Sequence, residues 1–309
     1  MMLSVVTTLY NTSDYLNEFL SKVTILHKKI SLESYEVILV DDGSTDSQFS
    51  KAQLICANYQ NVTLVRLSRN FGHHHALLGG LERASGHLIF LVDSDLEEDP
   101  LDFYLLHKEM LQTKADLVYG YQEKRRGGLW EKFSGQFFYF IMNRFMKVEI
   151  PENMLTSRLM SRRYLDALLS HRETQLNFSG LSLITGFHQS RVPLTKTRLR
   201  KTSYSFSKKL AVMIDAITSF SSSPLKFIFA TGIVIFTAST IVILSLLIQW
   251  LNNGDSTSGW ASLILSVWFL GGLNMLSLGV IGMYTSKIFI ETKNRPRVIV
   301  SEVISTNEG

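Results

Sequence analysis

Residues 88–95 read Leu88-Ile89-Phe90-Leu91-Val92-Asp93-Ser94-Asp95, an apolar run followed by two carboxylates one residue apart. So continuous an apolar run is typical of a buried strand in a parallel sheet. Parallel sheets bind ligands beyond the carboxyl ends of their strands. Asp93 and Asp95 at such an end would supply the oxygen ligands that a hard divalent cation prefers. The alternative is a solvated acidic turn without a ligand, since this pair of acids is common by itself.

The first 122 residues alternate between strand-like and helix-like patterns. Such alternation predicts an α/β fold with a mostly parallel sheet, right-handed crossovers and helices on both faces. The predicted strands are Leu3–Leu9, Glu36–Val40, Val62–Leu67, His87–Val92 and Ala115–Tyr119, and the predicted helices cover about 14–29, 47–58, 73–84 and 100–113.

A second pair of acids, Asp41 and Asp42, follows another apolar run at 37–40. A carboxylate in this position can accept hydrogen bonds from ribose hydroxyls or from a base N–H. A helix-capping turn at Gly43 and Ser44 without a ligand is the alternative. Because two strands deliver acids to the same edge of the sheet, we favour a ligand site there.

The third predicted strand is followed by Arg69, which can pair with a diphosphate, and by Gly72, which allows close approach of the backbone to a ligand. The run His73-His74-His75 comes next. Three consecutive helical residues point in different directions, so these histidines cannot jointly chelate one ion.

Two stretches without charge, Phe227 to Trp250 and Trp260 to Ser286, stand in the last third of the chain. Each exceeds the roughly 20 apolar residues that cross a bilayer. We predict a transmembrane hairpin over 225–286, with buried core helices as the alternative. Lysines and arginines flank the hairpin on its two outer sides, which predicts cytoplasmic ends and an external connector.

Helical spacing of apolar residues just before the hairpin predicts an interfacial amphipathic helix over 206–223. Residues 287–309 are predicted to form a cytoplasmic tail.

The composition and net charge of the chain indicate which kinds of partner it binds. A net charge of +4 is mild and does not argue for nucleic acid. The basic residues cluster near the predicted spans, where membrane lipids or a lipid phosphate are the natural partners. The single Cys56 excludes an internal disulfide and suits a reducing compartment. No signal peptide is expected, because a strand begins almost at once. The oligomeric state stays open and includes a homo-oligomer.

Four ordered motifs resemble those of family 2 glycosyltransferases with the GT-A fold. They are Tyr10-Asn11, Asp41-Asp42-Gly43-Ser44-Thr45-Asp46, Arg69-Asn70-Phe71-Gly72 and Asp93-Ser94-Asp95-Leu96-Glu97. Together with two terminal spans, they make the chain similar to the polyprenyl-phosphate glycosyltransferases, the group of dolichol-phosphate mannose synthase and the bactoprenol glucosyltransferases. The resemblance covers nearly the whole chain and implies a GT-A (Rossmann-like) domain over 1–205.

The resemblance implies roles for individual residues. Mg²⁺ or Mn²⁺ would be held by Asp93, Asp95 and, two residues further on, Glu97. Their alternate spacing also predicts that an extended backbone points all three the same way. Glu98 and Asp99 are expected to form a solvated helix start before Pro100. The nucleotide-binding set implied by the resemblance is Thr8, Tyr10, Asn11, Asp41, Asp42, Arg69, Asp93 and Ser94.

One segment departs from the family's pattern. Many relatives carry an aspartate shortly before a Phe-Arg-Leu triplet, whereas here Arg158 matches and no aspartate precedes it. A catalytic base is therefore in doubt, but a phosphate monoester is largely dianionic near neutral pH and needs little activation. The predicted catalytic residues are Asp95 and Arg158. The residues predicted to hold the lipid phosphate are Arg125, Arg126, Arg198, Arg200 and Lys201, and general attraction to headgroups explains the basic run from Lys196 to Lys201 equally well.

The resemblance implies a membrane-anchored inverting transferase. It would move a sugar from a nucleotide-sugar donor to polyprenyl (undecaprenyl) phosphate at the inner membrane, for cell-envelope or O-antigen glycosylation. A processive polysaccharide synthase is one alternative, although similar synthases need more spans and carry a Gln-x-x-Arg-Trp motif that this chain lacks. A non-enzymatic nucleotide-binding membrane scaffold is another, and the intact Asp93 and Asp95 argue against it.

Overall fold

The structure, a computed structural model, describes residues 2–11, 13–30, 33–123, 151, 153–173, 178–196, 214, 218, 221–253 and 259–306. Among them, 2–196 and 294–306 belong to one compact unit, and those from 214 to 293 belong to a second.

The first unit is built on a mixed sheet of eight strands. Its central strand β1 (Met2–Leu9) pairs in parallel with β2 (Ser34–Asp41) and with β4 (Leu88–Leu91). The other strands are β3 (Val62–Leu67), β5 (Leu117–Tyr121), β6 (Met154–Ser161), β7 (Gln189–Pro193) and β8 (Val300–Ser305). Their order across the sheet is β7-β5-β6-β4-β1-β2-β3-β8, and only β6 and β8 run antiparallel to the strands beside them.

Helices cover both faces of this sheet, as the alternating pattern predicts. Successive side chains of a strand point to opposite faces, so Val5 and Val6 of β1 enter two different cores. The core around Val5 includes α1 (Leu16–Ile30), α2 (Asp46–Cys56) and α4 (Phe103–Thr113). The core around Val6 includes α3 (His73–Leu81), α5 (Arg162–Ser170) and α6 (Phe178–Ile184). Short 3-10 helices lie at Ser13–Tyr15 and Pro100–Asp102.

The edge strand β8 was not predicted, because its residues were assigned to the tail at 287–309. It pairs antiparallel with β3, with Thr63 opposite Ser305 and Val65 opposite Val303. Just before it, the side chain of Val298 packs against the core of α3. The end of the described chain is therefore part of the sheet.

The second unit contains two long apolar helices, α7 (Ser223–Asn253) and α8 (Trp260–Thr292). Their most apolar segments are Ser223–Val242, with a mean hydropathy of 1.9, and Ser266–Thr292, with 1.5, and neither segment is buried. Both helices are long and apolar enough to cross a bilayer. The predicted spans fall inside them, whereas most of the predicted interfacial helix at 206–223 lies outside the described residues.

Candidate active site

The ends of β1, β2 and β4 lie side by side. Leu9 is in register with Asp41, and Val6 is in register with Leu91. Beyond β4, the buried Ser94 hydroxyl donates a hydrogen bond of 2.7 Å to the carbonyl oxygen of Thr8. Ser94 thus connects residues 93–98, here called the acidic turn, to the end of β1. The acidic turn and the loop after β1 therefore reach the same edge of the sheet.

Asp42 connects the turn after β2 to the turn after β3 through two hydrogen bonds. Its two carboxylate oxygens accept hydrogen bonds from the backbone N–H groups of Phe71, at 2.7 Å, and Gly72, at 3.0 Å. Burial raises the pKa of Asp42, and these two amides oppose that effect. The carboxylate therefore orders the turn at 69–72 in this structure, and its contact with a nucleotide stays a prediction.

Asp41 is also buried, and its Oδ2 accepts a hydrogen bond of 3.2 Å from the Ser44 N–H. Burial raises its pKa as well. Gly43, between Asp42 and Ser44, has φ +70° and lies directly against the backbone of Arg69 and Asn70. The two turns that follow β2 and β3 are therefore packed against each other.

Tyr10, Asn11 and Arg69 are exposed members of the predicted nucleotide set. Tyr10 is 51% exposed. The Arg69 guanidinium lies 4.0 Å from the centroid of the Phe71 ring and donates to the Asn70 carbonyl oxygen. Asn11, with φ +52°, accepts a hydrogen bond from the Thr45 N–H and donates its own N–H to the Ser44 hydroxyl. Asn11 therefore shapes the loop that presents the Tyr10 ring.

The acidic turn departs from the extended backbone that the alternate spacing predicted. Residues 94–98 form a turn and bends, and the buried Leu96 has φ +58°. A left-handed leucine is strained, at a cost of about 1–2 kcal/mol. The prediction that an extended backbone points Asp93, Asp95 and Glu97 the same way is therefore wrong, because the backbone is not extended here and Leu96, between the second and third acid, is left-handed.

Each acid of the turn has a different environment. Asp95 Oδ1 accepts a hydrogen bond from the Glu97 N–H at 3.0 Å. Glu97 Oε2 lies 2.7 Å from the ammonium nitrogen of Lys196. Asp93 Oδ1 is buried without a hydrogen-bond partner among the described residues, and burial raises the pKa of Asp93 to about 6.

These oxygens fit the ligand chemistry of Mg²⁺ or Mn²⁺. A buried carboxylate oxygen without a partner is costly, and a hard cation would satisfy it. In the part of the chain that the structure describes, no three Asp, Glu, His or Cys side chains gather closely enough to hold a metal ion. Asp93 and Asp95 are thus the better-supported ligands, and the assignment of Glu97 stays a prediction.

His73 is a site residue that the sequence did not assign. Its Nδ1 lies 3.1 Å from the Thr8 hydroxyl, and its Nε2 lies 3.6 Å from Asp93 Oδ1. Burial lowers the pKa of His73, which favours the neutral ring at pH 7.

Glu98 was expected in solvent and is instead buried. Its carboxylate accepts hydrogen bonds from the backbone N–H groups of Thr156, at 3.2 Å, and Ser157, at 2.7 Å. Burial raises its pKa, and the charge of Asp93 acts in the same direction. Asp99 does cap the following 3-10 helix, since its side chain accepts the Leu101 N–H. No local pattern signals the role of Glu98, because its partners lie almost 60 residues away.

Arg158 lies in the interior of the first unit, on β6 opposite Leu91, and is 2% exposed. Its guanidinium donates to the hydroxyls of Ser182, at 3.1 Å, and Ser179, at 3.2 Å. Its Nε has no hydrogen-bond partner among the described residues. Burial lowers its pKa to about 10, so the side chain is still a cation at neutral pH. A role on the acceptor phosphate stays a prediction.

The other residues predicted to hold the lipid phosphate are not described by the structure. Arg125, Arg126, Arg198, Arg200 and Lys201 all lie outside the described residues. Of the same basic run, Lys196 is described, and it pairs with Glu97 as stated above.

Comparison with known proteins assigns the family. Residues 4–169 match the family model "Glycosyl transferase family 2". The chain belongs to glycosyltransferase family 2. A Mycobacterium tuberculosis (strain CDC 1551 / Oshkosh) protein named "Putative glycosyltransferases" is 39% identical over 307 residues, which are 99% of this chain and 90% of that protein. The "Prophage bactoprenol glucosyl transferase homolog" of Escherichia coli (strain K12) is 29% identical over 98% of this chain and 99% of its own length.

Among solved structures, a mannosyltransferase from Pyrobaculum calidifontis, in complex with GDP-Man and Mn²⁺, is similar with a TM-score of 0.49. It is 16% identical, and the likeness covers 94% of this chain and 86% of that one. The chain is therefore a glycosyltransferase, as the four motifs predicted. The predicted fold is also confirmed: an α/β fold of the GT-A class, followed by two apolar helices.

Proposed function

We propose that this family 2 glycosyltransferase is membrane-anchored and moves a sugar from a nucleotide-sugar donor to a polyprenyl phosphate. The observation that carries the proposal is the end-to-end match to bactoprenol glucosyl transferases, whose alignment covers 98% of this chain and 98% of the Shigella phage protein. That match includes the two apolar helices, which are 31 and 33 residues long. A polyprenyl acceptor lies in a bilayer, so an enzyme that uses it benefits from an anchor of this kind.

The acidic edge of the sheet suits the donor. When the sugar is transferred, negative charge accumulates on the departing nucleoside diphosphate. A divalent cation held by Asp93 and Asp95 would supply Lewis acidity to that diphosphate. The exposed Arg69 guanidinium follows β3, two strands beyond β1 in the same sheet, and can pair with phosphate oxygens. The exposed Tyr10 ring offers an apolar face to the base.

The acceptor needs little help from the protein. A lipid phosphate is largely dianionic at neutral pH, so one of its oxygens can attack the anomeric carbon without a general base. The new bond forms between that oxygen and the anomeric carbon as the bond to the diphosphate breaks, with inversion at the carbon. Arg158 and the basic residues at 125, 126, 198, 200 and 201 are the proposed anchors of the acceptor phosphate.

The proposed setting is the inner membrane of a bacterium, with the chain crossing the bilayer twice. Lysines and arginines before α7 and after α8 favour a cytoplasmic side for the first unit and for both termini. The proposed product would then be formed on the cytoplasmic leaflet and used in cell-envelope or O-antigen glycosylation.

The proposal is tested with the full-length protein in detergent or liposomes. It is incubated with undecaprenyl phosphate, Mn²⁺ or Mg²⁺ and a panel of UDP-, GDP- and dTDP-sugars, and the lipid extract is analysed by mass spectrometry. We expect one donor to give a monoglycosylated lipid. Absence of lipid-linked product with every donor would contradict the proposal, and a water-soluble polymer would favour a processive synthase.

Asp95→Asn tests the role proposed for the carboxylates of the acidic turn. It should abolish transfer and leave the unfolding transition unchanged within error, because Asn keeps the volume and loses the charge. Asp166→Asn, which removes an exposed carboxylate paired with Arg162 on α5, is the control and should keep full transfer. Transfer by Asp95→Asn at the wild-type rate would show that this carboxylate is dispensable.

A further inference from the structure

Lys196 joins the acidic turn from a distant part of the sheet. Lys196 follows β7, the strand at one end of the sheet, whereas the acidic turn follows β4, which is separated from β7 by β5 and β6. Its ammonium nitrogen nevertheless lies 2.7 Å from Glu97 Oε2, with 25% of the Lys196 side chain and 16% of the Glu97 side chain exposed. A long side chain loses about 1.5–2 kcal/mol of rotamer entropy when it is held in this way. The pair is therefore an ordered and partly desolvated contact.

The ammonium faces a concentration of negative charge. Asp93, Asp95, Glu97 and Glu98 stand within six residues of one turn. Burial tends to lower the pKa of Lys196, but the hydrogen bond to Glu97 and the charges of Glu97, Glu98 and Asp95 raise it overall. The same ammonium opposes the rise in the pKa of Asp93. Lys196 thus neutralises part of the charge that a divalent cation would neutralise.

The contact also determines where Glu97 points. The left-handed Leu96 turns the chain between Asp95 and Glu97, and the Glu97 carboxylate ends on Lys196. Asp93 Oδ1 is meanwhile buried without a hydrogen-bond partner among the described residues. In this structure one oxygen of the Glu97 carboxylate is therefore held by Lys196, and no three acidic, histidine or cysteine side chains of the described residues gather closely enough to hold one ion.

We propose that Lys196 is a positioning residue that holds Glu97 out of the ligand set and thereby sets the affinity of the acidic turn for a divalent cation. Binding of the cation then exchanges one positive partner of Glu97 for another. The inference rests on the proposed function, in which Asp93 and Asp95 bind the cation that assists departure of the nucleoside diphosphate.

The test measures Mn²⁺ binding rather than turnover. Free Mn²⁺ is quantified by electron paramagnetic resonance in titrations of the full-length protein, with and without UDP or GDP. Removal of the competing ammonium in Lys196→Met should lower the Kd for Mn²⁺ about tenfold, a coupling of ordinary size between neighbouring sites. Lys196→Arg keeps a cation in place and should return the Kd towards the wild-type value.

A double-mutant cycle separates the role of Glu97 from a general field effect. In a Glu97→Gln background, the further change Lys196→Met should alter the Kd less than about twofold, because the carboxylate that Lys196 withholds from the cation is gone. Equal gains in both backgrounds would overturn the proposal, and so would an unchanged or higher Kd in Lys196→Met. Lys51→Met, which removes an ammonium paired with Asp14 at 2.5 Å, is the control and should leave the Kd unchanged.

The outcomes also separate this inference from the proposed function. If no variant binds Mn²⁺, the positioning role fails, whereas lipid-linked product made by the wild type in the presence of a chelator would keep the transferase assignment. If the cycle behaves as expected but no donor gives a product, the positioning role stands and the assigned reaction fails. Thermal unfolding of each variant checks that the protein is folded during the titrations.

Discussion

The carboxylate of Glu98 accepts a hydrogen bond of 2.7 Å from the backbone N–H of Ser157. The same carboxylate also accepts the N–H of Thr156. Glu98 belongs to the turn that follows β4, and both amides belong to β6, the strand that pairs with β4. The buried Glu98 carboxylate therefore fixes the acidic turn to β6, while Asp93 and Asp95 lie at the edge of the sheet.

We expect Glu98→Ala to weaken both the fold and the reaction. The buried N–H of Ser157 would lose its acceptor, at about 1–3 kcal/mol, and so would the partly buried N–H of Thr156, at a smaller cost. A displacement of Asp93 and Asp95 by about 1 Å would be enough to lower turnover about a hundredfold. Denaturant unfolding and initial rates of lipid glycosylation test the two effects separately. Glu98→Gln keeps one carbonyl acceptor and should fall between wild type and Glu98→Ala; a variant as stable as wild type would show that the two hydrogen bonds contribute nothing.

Gly43 and Gly72 should respond very differently to alanine. A Cβ at Gly43 would lie 2.4 Å from the Arg69 carbonyl carbon and 2.5 Å from the Asn70 nitrogen, so Gly43→Ala must separate two packed turns. A Cβ at Gly72 would meet no atom within 4 Å, and only its φ of +98° opposes the change, at about 1–3 kcal/mol. We expect a larger loss in the free energy of unfolding for Gly43→Ala, measured by urea titration. Equal losses would mean that the two turns separate without cost.

Asp116 gives the fold a defined dependence on pH. Its carboxylate accepts hydrogen bonds from Arg163 and, at 2.9 Å, from the Ser161 hydroxyl, and the Arg163 contact lowers its pKa below the ordinary value of 3.8. A lowered pKa means that the folded state binds the proton less tightly than the unfolded state does. The stabilisation is therefore complete above about pH 4 and is lost as the pH falls through the folded pKa.

Asp116→Asn should cost about 1–2 kcal/mol at pH 7, a modest value because Arg163 is 70% exposed. The difference from wild type should shrink as the pH falls below about 4 and through the folded pKa, where the wild-type carboxylate takes up a proton and loses its charge. Unfolding curves at pH 7 and pH 3 measure both values. A difference that is the same at the two pH values would show that charge plays no part.

The sequence predicted the structure correctly wherever the signal lies in neighbouring residues. The apolar run from Leu88 to Val92 gave a strand, and the acids behind it reach the edge of the sheet because parallel strands end there. The burial of Glu98, the pairing of Lys196 with Glu97 and the strand at Val300–Ser305 were not predicted. Each depends on a partner far away in the chain, by 59 residues for Glu98, by 99 for Lys196 and by up to 242 for the strand, where Thr63 pairs with Ser305. The left-handed Leu96 was missed for a related reason, since leucine has no intrinsic preference for that conformation.

Arg158 is expected to affect both stability and function. Its guanidinium is buried, donates to the hydroxyls of Ser179 and Ser182 and faces the charges of Glu98 and Asp93, so removing it alone leaves buried acids without a cation. We expect Arg158→Met to lower the free energy of unfolding by about 3–5 kcal/mol. In the proposed reaction it should also lose most lipid glycosylation, because Arg158 is a proposed anchor of the acceptor phosphate. Unfolding and rate measurements on the same preparation decide the matter: full activity in a folded variant would remove Arg158 from the mechanism.

The pairing of β8 with β3 also constrains when the sheet can be completed during synthesis. Val300–Ser305 leaves the ribosome after both apolar helices, whereas β3 is made more than two hundred residues earlier. Until then the outer edge of β3 has unpaired N–H and C=O groups, which are a template for association with other chains. Early insertion of α7 and α8 into a bilayer would keep nascent chains apart during that interval. Expression systems that delay insertion should therefore yield aggregated protein even when every residue of the site is intact.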